Sequence, residues 1–111
     1  MKIDKKENHT ILGDERDDIS NFAQYLEYTV PQHYEKENLV IDLLKYDKMV
    51  LEELLHFLKL SNYHRATKHS FVIVNDAINI DDVPTEMIVV PTILEAGDIV
   101  EMEEIERDLG F

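Results

Sequence analysis

A chain of 111 residues with 44% apolar side chains and no cysteine is the size of one domain and can bury a single core without covalent staples. The missing cysteines exclude disulfides, iron–sulfur clusters, thiolate zinc sites and thiol catalysis. The net charge of −13 opposes binding to nucleic acid or to anionic membrane surfaces, both of which call for basic surface.

The opening Met1-Lys2-Ile3-Asp4-Lys5-Lys6-Glu7 is charged and has no apolar region behind it, so no signal peptide is expected. The apolar runs reach only about six residues, far short of a membrane span. The expected compartment is the cytoplasm. Ile3 to Glu7 and Thr10 to Leu12 read as two edge strands around Asn8-His9. Asp17 and Asp18 are N-cap candidates for a helix that places Ile19, Phe22, Ala23, Leu26 and Val30 on one face. Pro31 is expected to end it.

Three apolar runs follow, at residues 39–44, 71–74 and 87–90. They are mostly β-branched or aliphatic and do not alternate with polar residues. Strands covered on both faces read this way, as in a parallel sheet flanked by helices. Between the first two lies a helix capped by Asp47, with Leu51, Leu54, Leu55 and Leu58 at helical spacing and an end near Arg65. Strand, helix and strand make one βαβ unit. Residues 78–86 hold two aspartates and Pro84, enough for one short turn. Thr92-Ile93-Leu94-Glu95 is a capping box. Behind it Leu94, Ile99, Met102, Ile105 and Leu109 recur near a period of 3.6, and Gly110 is the expected stop. Gly97 is a candidate for close approach of this helix to the sheet. The whole reads as a single α/β domain over residues 1–111.

Residues that could carry chemistry are sparse. His9, His33, His56, His64 and His69 include no pair at the spacing of a zinc site and read as exposed or half-buried imidazoles. Gly13, Gly97 and Gly110 are too scattered to cradle a phosphate. Glu101, Glu103, Glu104 and Glu106 form a solvated run, without the contrasting environments that an acid/base pair needs. No catalytic, metal or cofactor site is expected. Charge is uneven along the chain: residues 45–70 carry +2, while residues 71–111 carry −10. Lys59, Arg65, Lys68 and His69 complement the C-terminal end of the central helix. The acid of the last third suits a basic partner surface.

The element order resembles the STAS domain, the fold of anti-sigma factor antagonists, over essentially the whole chain. Val40-Ile41-Asp42-Leu43 looks like that family's central strand, and the helix from Val50 like its second main helix. Val90-Pro91-Thr92-Ile93-Leu94-Glu95-Ala96 looks like its last strand entering its last helix. The resemblance implies a mixed sheet of about five strands, the first antiparallel to the rest. It also implies a regulatory, non-catalytic module that docks on an unidentified protein partner. The implied docking surface is the start of the central helix and the turn before it: Tyr46, Asp47, Lys48, Glu52 and Glu53. The family's Asp-Ser-Ser-Gly phosphoacceptor motif is replaced here by Val50-Leu51-Glu52-Glu53, and no serine or threonine occurs between Thr29 and Ser61.

Two alternatives accompany this reading. The chain is also similar to short bacterial proteins sharing Asn-Leu-Val-Ile-Asp-Leu-Leu-Lys-Tyr-Asp and Glu-Met-Glu-Glu-Ile-Glu-Arg-Asp-Leu-Gly-Phe, some of which go under the name ribonuclease Z. That likeness implies an accessory role beside the tRNA-processing hydrolase, whose His-x-His-x-Asp-His ligand motif is missing here. Some STAS-like domains imply instead the sensing of a small ligand or lipid in the crevice at the strand ends.

Overall fold

The computed structural model describes residues 1–110. Strands β1 (Lys2–Lys5), β2 (Thr10–Gly13), β3 (Leu39–Asp42), β4 (Phe71–Val74) and β5 (Ile88–Val90) form one sheet in that order. β1 runs antiparallel to β2, and every later pair is parallel. This is the mixed α/β sheet that the buried runs and the resemblance predict. One row across it reads Ile3, Leu12, Ile41, Ile73, Val89, and the adjacent row reads Asp4, Ile11, Val40, Val72, Ile88. Neighbouring residues of a strand point to opposite faces. Leu12, Leu39, Ile41, Phe71, Ile73 and Val89 therefore build one core, and Ile11, Val40, Val72 and Val74 another on the far side.

The larger core lies under α1 (Ile19–His33) and the central helix. Asp18 caps α1, its Oδ1 accepting from the Asn21 N–H at 3.0 Å. The helix runs through Pro31 and stops at His33, contrary to the expected end at the proline. Proline removes the bond that its N–H would make to the Glu27 carbonyl. Glu27 is exposed, so that carbonyl remains open to water. β3 ends at Asp42, two residues earlier than its apolar run suggests. There the Asp42 Oδ1 accepts from the Leu44 N–H at 3.0 Å and turns the chain.

The central helix comes in three pieces: α2 (Leu51–Leu54), a 3₁₀ turn (Leu55–Phe57) and α3 (Leu58–Ala66). Its N-cap is Val50, not Asp47. The Glu53 carboxylate accepts from the Val50 N–H at 3.1 Å and so serves one orphan donor of the first turn. Its packed face is Leu54, Phe57, Leu60, Ser61 and His64, while Leu51 and Leu55 point outward. Lys68, just past α3, takes a left-handed φ of 65° and ends the helix where glycine is usual.

Helix α4 (Ile93–Asp108) alone covers the second core. Thr92 caps it as the sequence predicts, accepting from the Glu95 N–H at 3.1 Å. Gly110, at φ 84°, follows its end. The apolar positions read from its period are mostly its outer face. Ala96 and Val100 are the buried ones, and Leu94, Met102, Ile105 and Leu109 are exposed. Gly97 does not approach the sheet; a Cβ there would meet the His9 ring at 3.6 Å. Among the described residues, no helix is long and apolar enough to cross a membrane.

Candidate functional site

The loop after β3 carries Tyr46, Asp47 and Lys48 at the C-terminal ends of the parallel strands. Two latches hold it. Asn75, at the end of β4, donates from Nδ2 to the carbonyls of Leu43 at 2.8 Å and Tyr46 at 3.0 Å. Its Oδ1 accepts from the N–H groups of Ala77 and Ile78. One buried amide thus fixes two loops with every bonding position used. The second latch is Tyr46, whose hydroxyl donates to the Asp14 carboxylate in the loop after β2. Burial, and then that carboxylate, push the Tyr46 phenol well above its usual range. Lys45 adds a bond from Nζ to the Arg16 carbonyl at 2.5 Å and an ion pair with Asp17 at 3.0 Å.

On this braced loop and the first turn of α2, the five residues expected to dock have different situations. Tyr46 is half-buried and its hydroxyl is committed to the latch. Asp47 and Lys48 are exposed, and neither makes an ion pair among the described residues. Glu52 is exposed, whereas Glu53 is half-buried and occupied in capping. Around them lie three exposed apolar side chains, two of which, Leu51 and Leu55, belong to the leucine spacing read as the helix's packed face. Val50 is 58% exposed, Leu51 37% and Leu55 39%. Val50 to Leu55 is therefore an apolar shoulder rimmed by Asp47, Lys48 and Glu52.

The opposite end of the sheet holds a polar network that sequence reasoning missed. Buried Asn38, at the start of β3, donates to the Asn8 carbonyl at 3.0 Å and to Glu104 at 3.2 Å. It accepts from the Ser70 N–H at 2.8 Å and from Arg107 at 3.2 Å. Arg65 pairs with Glu103 at 2.6 Å. Burial of Glu103 pushes its pKa up but is outweighed by Arg65 and Ser70, and the carboxyl ends below its usual range. Glu103 and Glu104 are thus tied inward, contrary to the solvated run expected of them. His64 is fully buried, contrary to the expected half-exposed imidazole. Its Nε2 donates to the Glu37 carbonyl at 2.6 Å, and Nδ1 has no partner. Burial lowers its pKa, and the Glu37 carbonyl works against that shift. Burial also lowers that of His9, with Lys6 adding to the effect.

These groups join α3, α4 and the strand starts to one another, and their chemistry is that of a clamp. Among the described residues, no three histidines or carboxylates gather closely enough to hold a metal ion. No protein-family model matches this chain, and no curated protein matches it.

Proposed function

We propose that this protein is a non-catalytic regulatory module of the STAS-like kind that docks on a partner protein through the shoulder from Asp47 to Leu55. The observation that carries the reading is the exposure of Val50, Leu51 and Leu55 together on a loop–helix junction that Asn75 and Tyr46 hold rigid. Apolar side chains grouped at the surface and rimmed by charge are characteristic of protein interfaces. A braced backbone lowers the ordering cost of binding. The partner surface that fits has an apolar centre and basic groups facing Asp47 and Glu52.

Glu52 and Glu53 stand where the STAS resemblance puts the phosphoacceptor segment. Glu53 already has a capping role, and both carboxylates favour the positive end of the helix. Control by phosphorylation at this position is not part of the proposal.

The test is site-specific photo-cross-linking in cells. A benzophenone side chain at Leu51 is expected to capture one protein, and the same group at Lys36, on the opposite end of the sheet, is expected not to. Val50→Asp with Leu55→Asp should abolish the Leu51 product, while Glu52→Ala, which removes one exposed rim charge, should only weaken it. Equal capture from both positions, or capture that survives the double substitution, contradicts the proposal.

A further inference from the structure

Helix α4 carries two apolar stripes where a surface helix normally carries one. The inner stripe packs on the sheet through Ala96 and Val100, with Ile93 and Ile99 at its margins. At about 100° per residue, Leu94, Met102, Ile105 and Leu109 fall within an arc of about 80° on the other side. They are 76%, 51%, 53% and 67% exposed. The stripe runs about 22 Å along the axis, four turns of helix.

Its rim has one sign. Glu95 and Glu106 border the stripe on one side and Glu101 and Asp108 on the other, while Asp98 falls within its arc between Ile105 and Leu109; all five are exposed. Arg107, the one cation in the helix, turns inward to Asn38 and Ser70. Glu103 and Glu104 turn inward as well, to Arg65 and Asn38. Outward-facing α4 is thus an apolar stripe, interrupted by Asp98 and bordered by carboxylates, with no positive charge of its own.

That charge pattern selects the occupant. A second copy of α4 laid on the stripe would set carboxylates against carboxylates, and like charges across an interface repel. A helix with lysine or arginine flanking its own apolar stripe would place cations on every part of the rim. We propose that the outer face of α4 is a second docking surface, for a basic amphipathic helix of a partner protein. The contact is of the helix-on-helix kind, anchored at Leu94, Met102, Ile105 and Leu109. It lies across the sheet from the Asp47–Leu55 shoulder, because α2 belongs to the other core. The two surfaces can therefore be occupied independently.

The probe is a peptide of about 18 residues, long enough for the stripe, built of leucine and lysine at helical amphipathic spacing. Its leucine–glutamate counterpart is the control. Fluorescence anisotropy against the full chain should show saturable binding of the lysine peptide, weaker at higher salt, and none of the glutamate peptide. Met102→Ser with Ile105→Ser should weaken binding about tenfold or more, with the circular dichroism unchanged. Leu94→Ser with Leu109→Ser is the second variant, should the first lose helix. Val50→Asp with Leu55→Asp should bind the peptide as the unaltered chain does. Failure to bind the lysine peptide, equal binding of both peptides, or full affinity in the folded serine variants overturns the proposal. So does sedimentation of the chain alone as a dimer that the serine substitutions dissociate, which would make the occupant a second copy.

Discussion

Tyr46 shows how a residue placed at a proposed docking surface can serve that surface from beneath. Its hydroxyl spans the loops after β2 and β3 by donating to Asp14. Because burial and that carboxylate raise its pKa, the phenol keeps its proton across the working pH range. Tyr46→Phe should cost about 1–2 kcal/mol, the worth of one hydrogen bond to a charged acceptor in a partly exposed site. Asp47→Ala should stay within about 0.5 kcal/mol; denaturant titration of both variants checks the difference. His64 supplies a pH prediction. Its folded pKa lies below the ordinary 6.5. A depressed pKa contributes stability that is complete above the unfolded value and is lost as pH falls through the folded one. Melting temperature should therefore fall on acidification below 6.5, with His9 contributing in the same direction. His64→Gln keeps a donor for the Glu37 carbonyl and should flatten that decline. Glu103, also depressed, gives up its share only further down, below 4.5. The roles of Tyr46, His64 and Glu103 could not be read from the sequence, because each depends on a partner about 30 or more residues away, and spacing patterns report only local neighbours.

At the scale of elements, the strands and the buried face of α1 were legible in the apolar spacing, and the faces of the central helix and α4 were not. Residues 39–41, 71–74 and 88–90 are apolar on both sides, because helices cover both faces of the sheet. The central helix and α4 bury polar groups in their packed faces: Ser61 and His64 in one, Glu103 and Arg107 in the other. The buried or half-buried polar residues interrupt the apolar period on the inner side. The exposed residues Leu51 and Leu55, and Leu94, Met102, Ile105 and Leu109, supply a cleaner period on the outer side. A search for apolar spacing therefore mixes inward Leu54 and Leu58 with outward Leu51 and Leu55 in the central helix, and selects mostly the outer face in α4. The corrected faces are testable in α4. Ala96→Leu inserts three carbons into a fully buried site and should cost about 1–3 kcal/mol through overpacking. Leu94→Lys should change stability by less than about 0.5 kcal/mol, since Leu94 is largely in water. Equal costs in thermal denaturation would reverse the assignment of faces.

For the whole molecule, the sheet separates two kinds of end. The N-terminal ends of the parallel strands are tied together by Asn38, Arg65, Glu103 and Arg107, which clamp α3 and α4 to the strand starts. The C-terminal ends carry braced loops with apolar groups left outside. The chain's net charge of −13 argued against phosphate surfaces, and docking on a protein was what the resemblance implied. The resemblance already pointed to Tyr46, Asp47, Lys48, Glu52 and Glu53 as the docking surface, and what the structure adds to that proposal is the exposure of Val50, Leu51 and Leu55 beside them. Hydrogen exchange on the complex isolated with the protein captured at Leu51 tests this most directly. The amides from Asp47 to Leu55 should exchange more slowly in the complex than in the free chain, with those around Lys36 unchanged. Slowing confined to the strand starts, or an unchanged Asp47–Leu55 segment, would contradict the account.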